Sequence, residues 1–116
     1  MHLPEEAEIV RIYIGESDKH GHQPLYEAIV QLARRRGMAG ATVLRGIMGF
    51  GADSRLHTAK VLRLSEDLPI VIEIVDRPDR VKPFLEEVDS MIKEGLITLE
   101  PVRVLAYRHH GEQAIS

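Results

Sequence analysis

The stretch Leu68 to Asp76 (LPIVIEIVD) constrains this chain more than any other, because apolar side chains fall on both of its faces and only Glu73 interrupts Leu68 to Val75. A strand of that pattern is covered on both sides, so it is central in a sheet or lies at a contact between subunits. Two helical stripes flank it. Leu25, Ala28, Ile29, Leu32 and Ala33 recur three and four residues apart, and Val81, Phe84, Leu85, Val88, Met91 and Ile92 do the same before Gly95. Pro24 suits the first turn of the first helix, Arg34 to Arg36 its last turn, and Gly37 its stop. Glu8 to Gly15 alternates, with Val10, Ile12 and Ile14 on one face and Ile9, Arg11 and Tyr13 on the other, as a strand does. Gly40 to Gly51 (GATVLRGIMGFG) is rich in strand formers but carries glycines at 40, 46, 49 and 51. It reads as a strand that bends, bulges or lets something approach its backbone.

Ala52 to Asp67 is polar and mixed, with Val61 to Leu64 as a strand continuation, and the helix over Asp79 to Glu94 follows Asp76. Leu96 to Tyr107 is a last strand in which Pro101 marks a break or an edge, and Arg108 to Ser116 is a polar tail. The order is β-α-β-β-α-β within a single domain, 1–116. Its α+β solution is ferredoxin-like: a four-stranded antiparallel sheet with two helices on one face. Helices then cover only one side of Leu68 to Val75. Homo-oligomerisation through the sheets is the simplest cover for the other.

Composition removes several functions. With 15 Lys+Arg against 18 Asp+Glu the 116-residue chain carries a net charge of −3, which disfavours nucleic-acid binding by a broad basic surface. An RNA-recognition module of the same strand order needs aromatic side chains on its central strands, and three Tyr, two Phe and no Trp serve that poorly. The absence of Cys excludes disulfides, zinc–thiolate sites and thiol nucleophiles. No apolar run approaches the roughly 20 residues of a membrane span, and Met1 to Glu6 has neither part of a signal peptide, so the expected location is the cytoplasm.

Among chemistry-bearing features the glycine cluster is foremost. Gly46, Gly49 and Gly51 precede Arg55, His57 and Lys60. Glycine lets backbone N–H groups approach an anion, and Arg or Lys adds charge for phosphates. Neither a Walker string nor a GxGxxG fingerprint is present. His20-Gly21-His22 and His109-His110 have spacings that ligate a divalent metal when a third ligand converges. Of the carboxylates Glu73, Asp76, Glu86, Glu87, Glu94 and Glu100, only Glu73 sits on the apolar strand, where register offers Arg11 or Arg103 as a structural partner. No Ser-His-Asp order, metalloprotease helix or paired-carboxylate signature stands out, and the expected function is not enzymatic.

The block Gly40 to Gly51, preceded by Ile12-Tyr13-Ile14-Gly15-Glu16 and by Pro24 to Val30, resembles the PII-like proteins grouped as domain-of-unknown-function family 190. Ser65 to Pro69 and Gly95 to Glu100 fit the same pattern, so the resemblance spans about residues 8–107. It implies a ferredoxin-like homotrimer with its sheets packed inside and a long mobile loop, here about 52–67. In the wider family adenine nucleotides bind in clefts between subunits at the base of that loop, and the loop docks onto a membrane transporter, channel, enzyme or regulator. The nucleotide (AMP, ADP or ATP) would then meet Thr42, Gly49, Phe50, Gly51, Arg103 and Arg108, while Arg55, His57 and Lys60 would serve partner docking. Gly49→Val is expected to abolish binding and leave the trimer. The chain departs from signalling PII proteins in a spacing from Gly40 to Gly49 that is one residue longer and in a shorter turn at Gly95. It also has no Gln between Ala52 and Asp67, so no 2-oxoglutarate response is expected. The alternative reading is a trimer of the same fold that binds a divalent metal through His20 and His22.

Overall fold

The computed structural model describes residues 5–51, 57–58, 67–109 and 112–114, the pieces 57–58 and 112–114 by their backbone pairing. In chain order the elements are β1 (Glu6–Gly15), β2 (Lys19–His20), β3 (Gln23–Pro24), α1 (Leu25–Arg35), β4 (Thr42–Arg45), β5 (Met48–Gly49), β6 (His57–Thr58), β7 (Pro69–Asp76), α2 (Pro78–Asp89), β8 (Leu96–Arg103), β9 (Tyr107–His109) and β10 (Glu112–Ala114). Four strands form one antiparallel sheet in the order β4-β7-β1-β8, and β2–β3, β5–β6 and β9–β10 are separate two-stranded pairs. This is the ferredoxin-like α+β arrangement that the apolar periodicities predict.

Val10, Ile12 and Ile14 of β1 and Ile70, Ile72 and Ile74 of β7 share one sheet face with the buried stripes of both helices: Leu25, Ile29, Leu32 and Ala33 from α1, and Val81, Phe84 and Val88 from α2. Each large side chain in that layer contributes about 1.5–3 kcal/mol by burial. Helix α1 ends where the sequence says it should. Gly37 takes a left-handed φ of 66°, its N–H donates to the Arg34 carbonyl at 3.0 Å, and the Met38 N–H reaches the Ala33 carbonyl at 3.1 Å. That pair of bonds is the Schellman stop.

The register places Ile9, Arg11 and Tyr13 beside Val71, Glu73 and Val75 and beside Leu96, Thr98 and Glu100 on the opposite sheet face. Neither helix lies there. Arg11 resolves the pairing of Glu73: its Nε donates to Glu73 at 3.0 Å and its Nη1 to Glu100. Arg103 pairs with Glu5 instead, at 2.6 Å.

Three boundaries differ from those expected. The strand at Gly40 to Gly51 leaves the sheet after Arg45, because the Gly46 N–H closes on the Pro69 carbonyl at 2.7 Å and β5 then pairs with β6. Helix α2 stops at Asp89: Ser90 Oγ bonds the Glu87 carbonyl at 2.7 Å, so Met91 and Ile92 reach the core from a turn. The last strand ends at Arg103 rather than Tyr107, and Tyr107 opens the hairpin β9–β10, which takes up Arg108 where a polar tail was expected. Val61 to Leu64 lie outside the described residues. Edge position of β8 agrees with Pro101 in its sequence.

Candidate functional site

The glycine block folds as a turn wrapped over one proline ring. A Cβ added at Gly46 would sit 2.8 Å from Pro69 Cγ, and one at Gly49 would sit 2.9 Å from the same atom. Both glycines are therefore required by the close passage of the backbone across Pro69, a reason that the sequence spacing does not reveal. Gly51 differs: it is exposed, and an added Cβ there meets no atom of the described residues within 4 Å. Val at Gly49 would therefore press on Pro69 as well as on any ligand, and Gly51 is the cleaner probe.

Between these glycines the chain displays its apolar residues outward. Ile47 is 79% exposed and Phe50 70%, with Met48 and Leu44 also exposed. In the ladder His57 stands opposite Gly49, so the pairing of β5 with β6 closes the base of the intervening segment. Arg55 and Lys60 lie outside the described residues. Behind the turn, Arg45 is held by Glu16 at 3.1 Å.

The candidate nucleotide residues fall into two groups. Gly49, Phe50 and Gly51 lie at the Pro69 end of β7. Arg103 and Arg108 lie at the Asp76 end, where Arg103 stands opposite Glu6 and the Tyr107 hydroxyl donates to the Ala39 carbonyl at 2.7 Å. At about 3.3 Å per residue, the two ends of β7 are roughly 23 Å apart. Strands β4 and β8 are moreover opposite edges of the sheet. Thr42 stands opposite Glu73, in the half of β7 toward Asp76. One chain by itself does not bring Gly51 and the two arginines around a common ligand.

The Asp76 end is held by a group that periodicity could not single out. Asp76 is fully buried, and its carboxylate accepts from the Ala39 N–H at 2.8 Å and the Arg77 N–H at 2.7 Å, with Arg80 Nε 3.5 Å away. Arg80 Nη2 in turn donates to the Arg36 and Gly37 carbonyls at 2.9 and 2.6 Å. The cluster ties the exit of α1 to the entry of α2 and fixes where β4 begins.

On the open face the hydrogen bond to Glu73 first, and that to Glu100 second, raise the Arg11 guanidinium above its ordinary range. Arg11 is thus a fixed positive charge between two carboxylates. Glu87 is engaged by Arg36 at 2.6 Å on the exposed side of the helices. His20 and His22 occupy the exposed tip of the β2–β3 hairpin, where Gly21 has a φ of 64°. Among the described residues no three His, Asp or Glu side chains gather closely enough to hold a metal ion, and no helix is long and apolar enough to cross a membrane.

Comparison with known proteins agrees with this architecture. A family model, DUF190 (Uncharacterized ACR), matches residues 7–104. A UPF0166 protein of Aquifex aeolicus is 38% identical over 100 residues, covering 86% of this chain and 94% of its own. Another from Methanocaldococcus jannaschii is 35% identical over 100 residues, covering 85% and 92%. Among solved structures, CPII of Thiomonas intermedia K12, a nitrogen regulatory PII-like protein bound to ADP, AMP and bicarbonate, superposes with a TM-score of 0.67 at 19% identity, covering 85% of this chain and 88% of that one. CPII bound to ADP and bicarbonate gives 0.65 at 20% identity over the same shares. Its apo form gives 0.57 at 18%, over 85% and 91%.

Proposed function

The chain belongs to the DUF190 family, and from that premise we propose that it is a non-enzymatic PII-like regulatory protein, a homotrimer that binds an adenine nucleotide (AMP, ADP or ATP) in clefts between its subunits. The observation that carries the reading is the turn over Pro69: it presents Gly51, which no described residue crowds, beside exposed Phe50. The likeness to CPII with ADP and AMP bound supports the choice of ligand. Amides at Gly49 to Gly51 face the phosphates, Arg103 and Arg108 of a neighbouring subunit neutralise them, and Thr42 lines the adenine end. Because those groups lie at opposite ends of one sheet, the site is complete only between copies.

Nucleotide occupancy is coupled to what residues 52–67, with Arg55, His57 and Lys60, present to a partner. The coupling is a population shift, with the ligand favouring the state it contacts best. No feature of the described residues selects a membrane transporter or channel as that partner.

Calorimetric titration with AMP, ADP and ATP, with solution mass measured alongside, tests the reading. Micromolar binding by a trimer is expected, weakened at least tenfold by Gly51→Val and by Arg103→Ala, with the circular dichroism spectrum retained. A trimer that binds none of the three would sink the nucleotide site. A wild-type protein of monomeric mass would sink the assembly.

A further inference from the structure

Beside the open sheet face, two apolar surface features of opposite shape stand out among the described residues. One is convex: Ile47, Met48 and Phe50 on the turn beside edge strand β4. The other is concave: a groove of about 610 Å³ between α2 and edge strand β8, floored by Val81, Leu85, Ile97 and Leu99. Leu99 in that floor is 47% exposed, although it lies on the helix side of the sheet. Single exposed apolar residues are ordinary, but a cluster of three within four positions and an apolar trough mark contact surfaces.

We propose that the knob of one copy seats in the groove of the next, giving a head-to-tail contact distinct from the packing of sheet faces. This rests on the trimer reading and deepens it by naming the surfaces. Three observations lead to a second copy as the occupant. Knob and groove lie at opposite edges of the sheet, β4 and β8, which is the arrangement a heterologous contact needs to repeat and close into a ring. Charges oppose: Glu8, Glu86 and Asp89 rim the groove against one Lys82, whereas Arg55 and Lys60 follow the knob in sequence against Asp53, Arg45 being neutralised by Glu16. Finally, the groove's β8 residues, Ile97 and Leu99, lie on the same strand and the same sheet face as Arg103. A seated knob therefore carries Gly51 of one copy toward Arg103 and Arg108 of its neighbour, joining the two groups that a single chain holds apart.

The test uses Phe50→Asp in the knob and Leu99→Asp in the groove, two exposed positions outside the buried core cluster, with light scattering on the eluted protein and circular dichroism to confirm that each variant is folded. Each variant alone is expected to fall from three chains to one chain of 13.1 kDa. Mixed in equal amounts they are expected to form a one-to-one pair, since one intact knob and one intact groove remain. Trimeric variants beside a trimeric wild type overturn the contact while leaving the assembly standing. Monomeric variants that fail to pair on mixing overturn its head-to-tail character. A monomeric wild type overturns both.

Discussion

The two faces of the β1–β7 pair are built from the same residues in alternation, yet they end in different states. Toward the helices Val10, Ile12, Ile72 and Ile74 are essentially free of water. Away from them Ile9, Val71 and Val75 are only half-buried, Tyr13 is exposed, and Arg11 bridges Glu73 and Glu100 across three strands. Apolar content alone thus does not say whether a strand's cover is supplied within the chain or by another molecule. The first face is finished by folding. The second holds its charges in register at the surface, where ion pairs contribute little stability of their own, and is available to association.

That contrast can be broken in three places. Phe84 is fully buried between α2 and the sheet, so Phe84→Ala is expected to cost about 3–5 kcal/mol in urea unfolding, the usual toll for emptying a core ring site. Its unfolding midpoint shift relative to wild type should be the same at every protein concentration; a shift that grows on dilution would mean that the helix face also depends on assembly. Asp76→Ala is expected to cost about 3 kcal/mol, because it strands two backbone N–H groups and removes the counter-charge of Arg80 at once. Asp76→Asn, which keeps an acceptor, should recover part of that loss. On the open face Leu96→Ser is expected to change the stability of the dissociated chain by less than about 0.5 kcal/mol. Its effect should appear instead as a weaker association constant in sedimentation, and a large loss of stability in the dilute monomer would erase the distinction between faces.

Much of the fold was legible in the sequence because its signals are local. Period, Gly37 and Pro101 are read within a few residues, and they placed the helices, the stop of α1 and the edge strand. The pairing of Glu73 was legible to within two candidates, since register follows from alternation once β1 and β7 are adjacent. What stayed hidden depends on contacts distant in sequence. Gly46 and Gly49 pass close to Pro69, twenty or more positions onward, a packing reason for glycine that their spacing alone does not show. Asp76 resembled any other carboxylate at the end of a strand, since one of its two backbone donors, Ala39, lies 37 positions away between α1 and β4. Of the candidate site, the residue types were readable, but their division between opposite ends of the sheet was not. Only the strand order exposes it.

That strand order also bears on how the chain acquires its shape. β1 comes first among the sheet strands, yet both of its neighbours arrive late: Arg11 meets Glu73 at a separation of 62 positions and Glu100 at 89. On a ribosome β1 must therefore wait, apolar and unpaired, while α1 and the whole glycine block emerge. Long-range pairing of this kind slows folding, because loop-closure entropy is spent before any contact repays it. The waiting strand is also the segment most open to capture by a chaperone or by another nascent copy. The interleaving that makes the finished sheet cooperative thus defers its first pairing until β7 has been made, and leaves the β8 edge to the last.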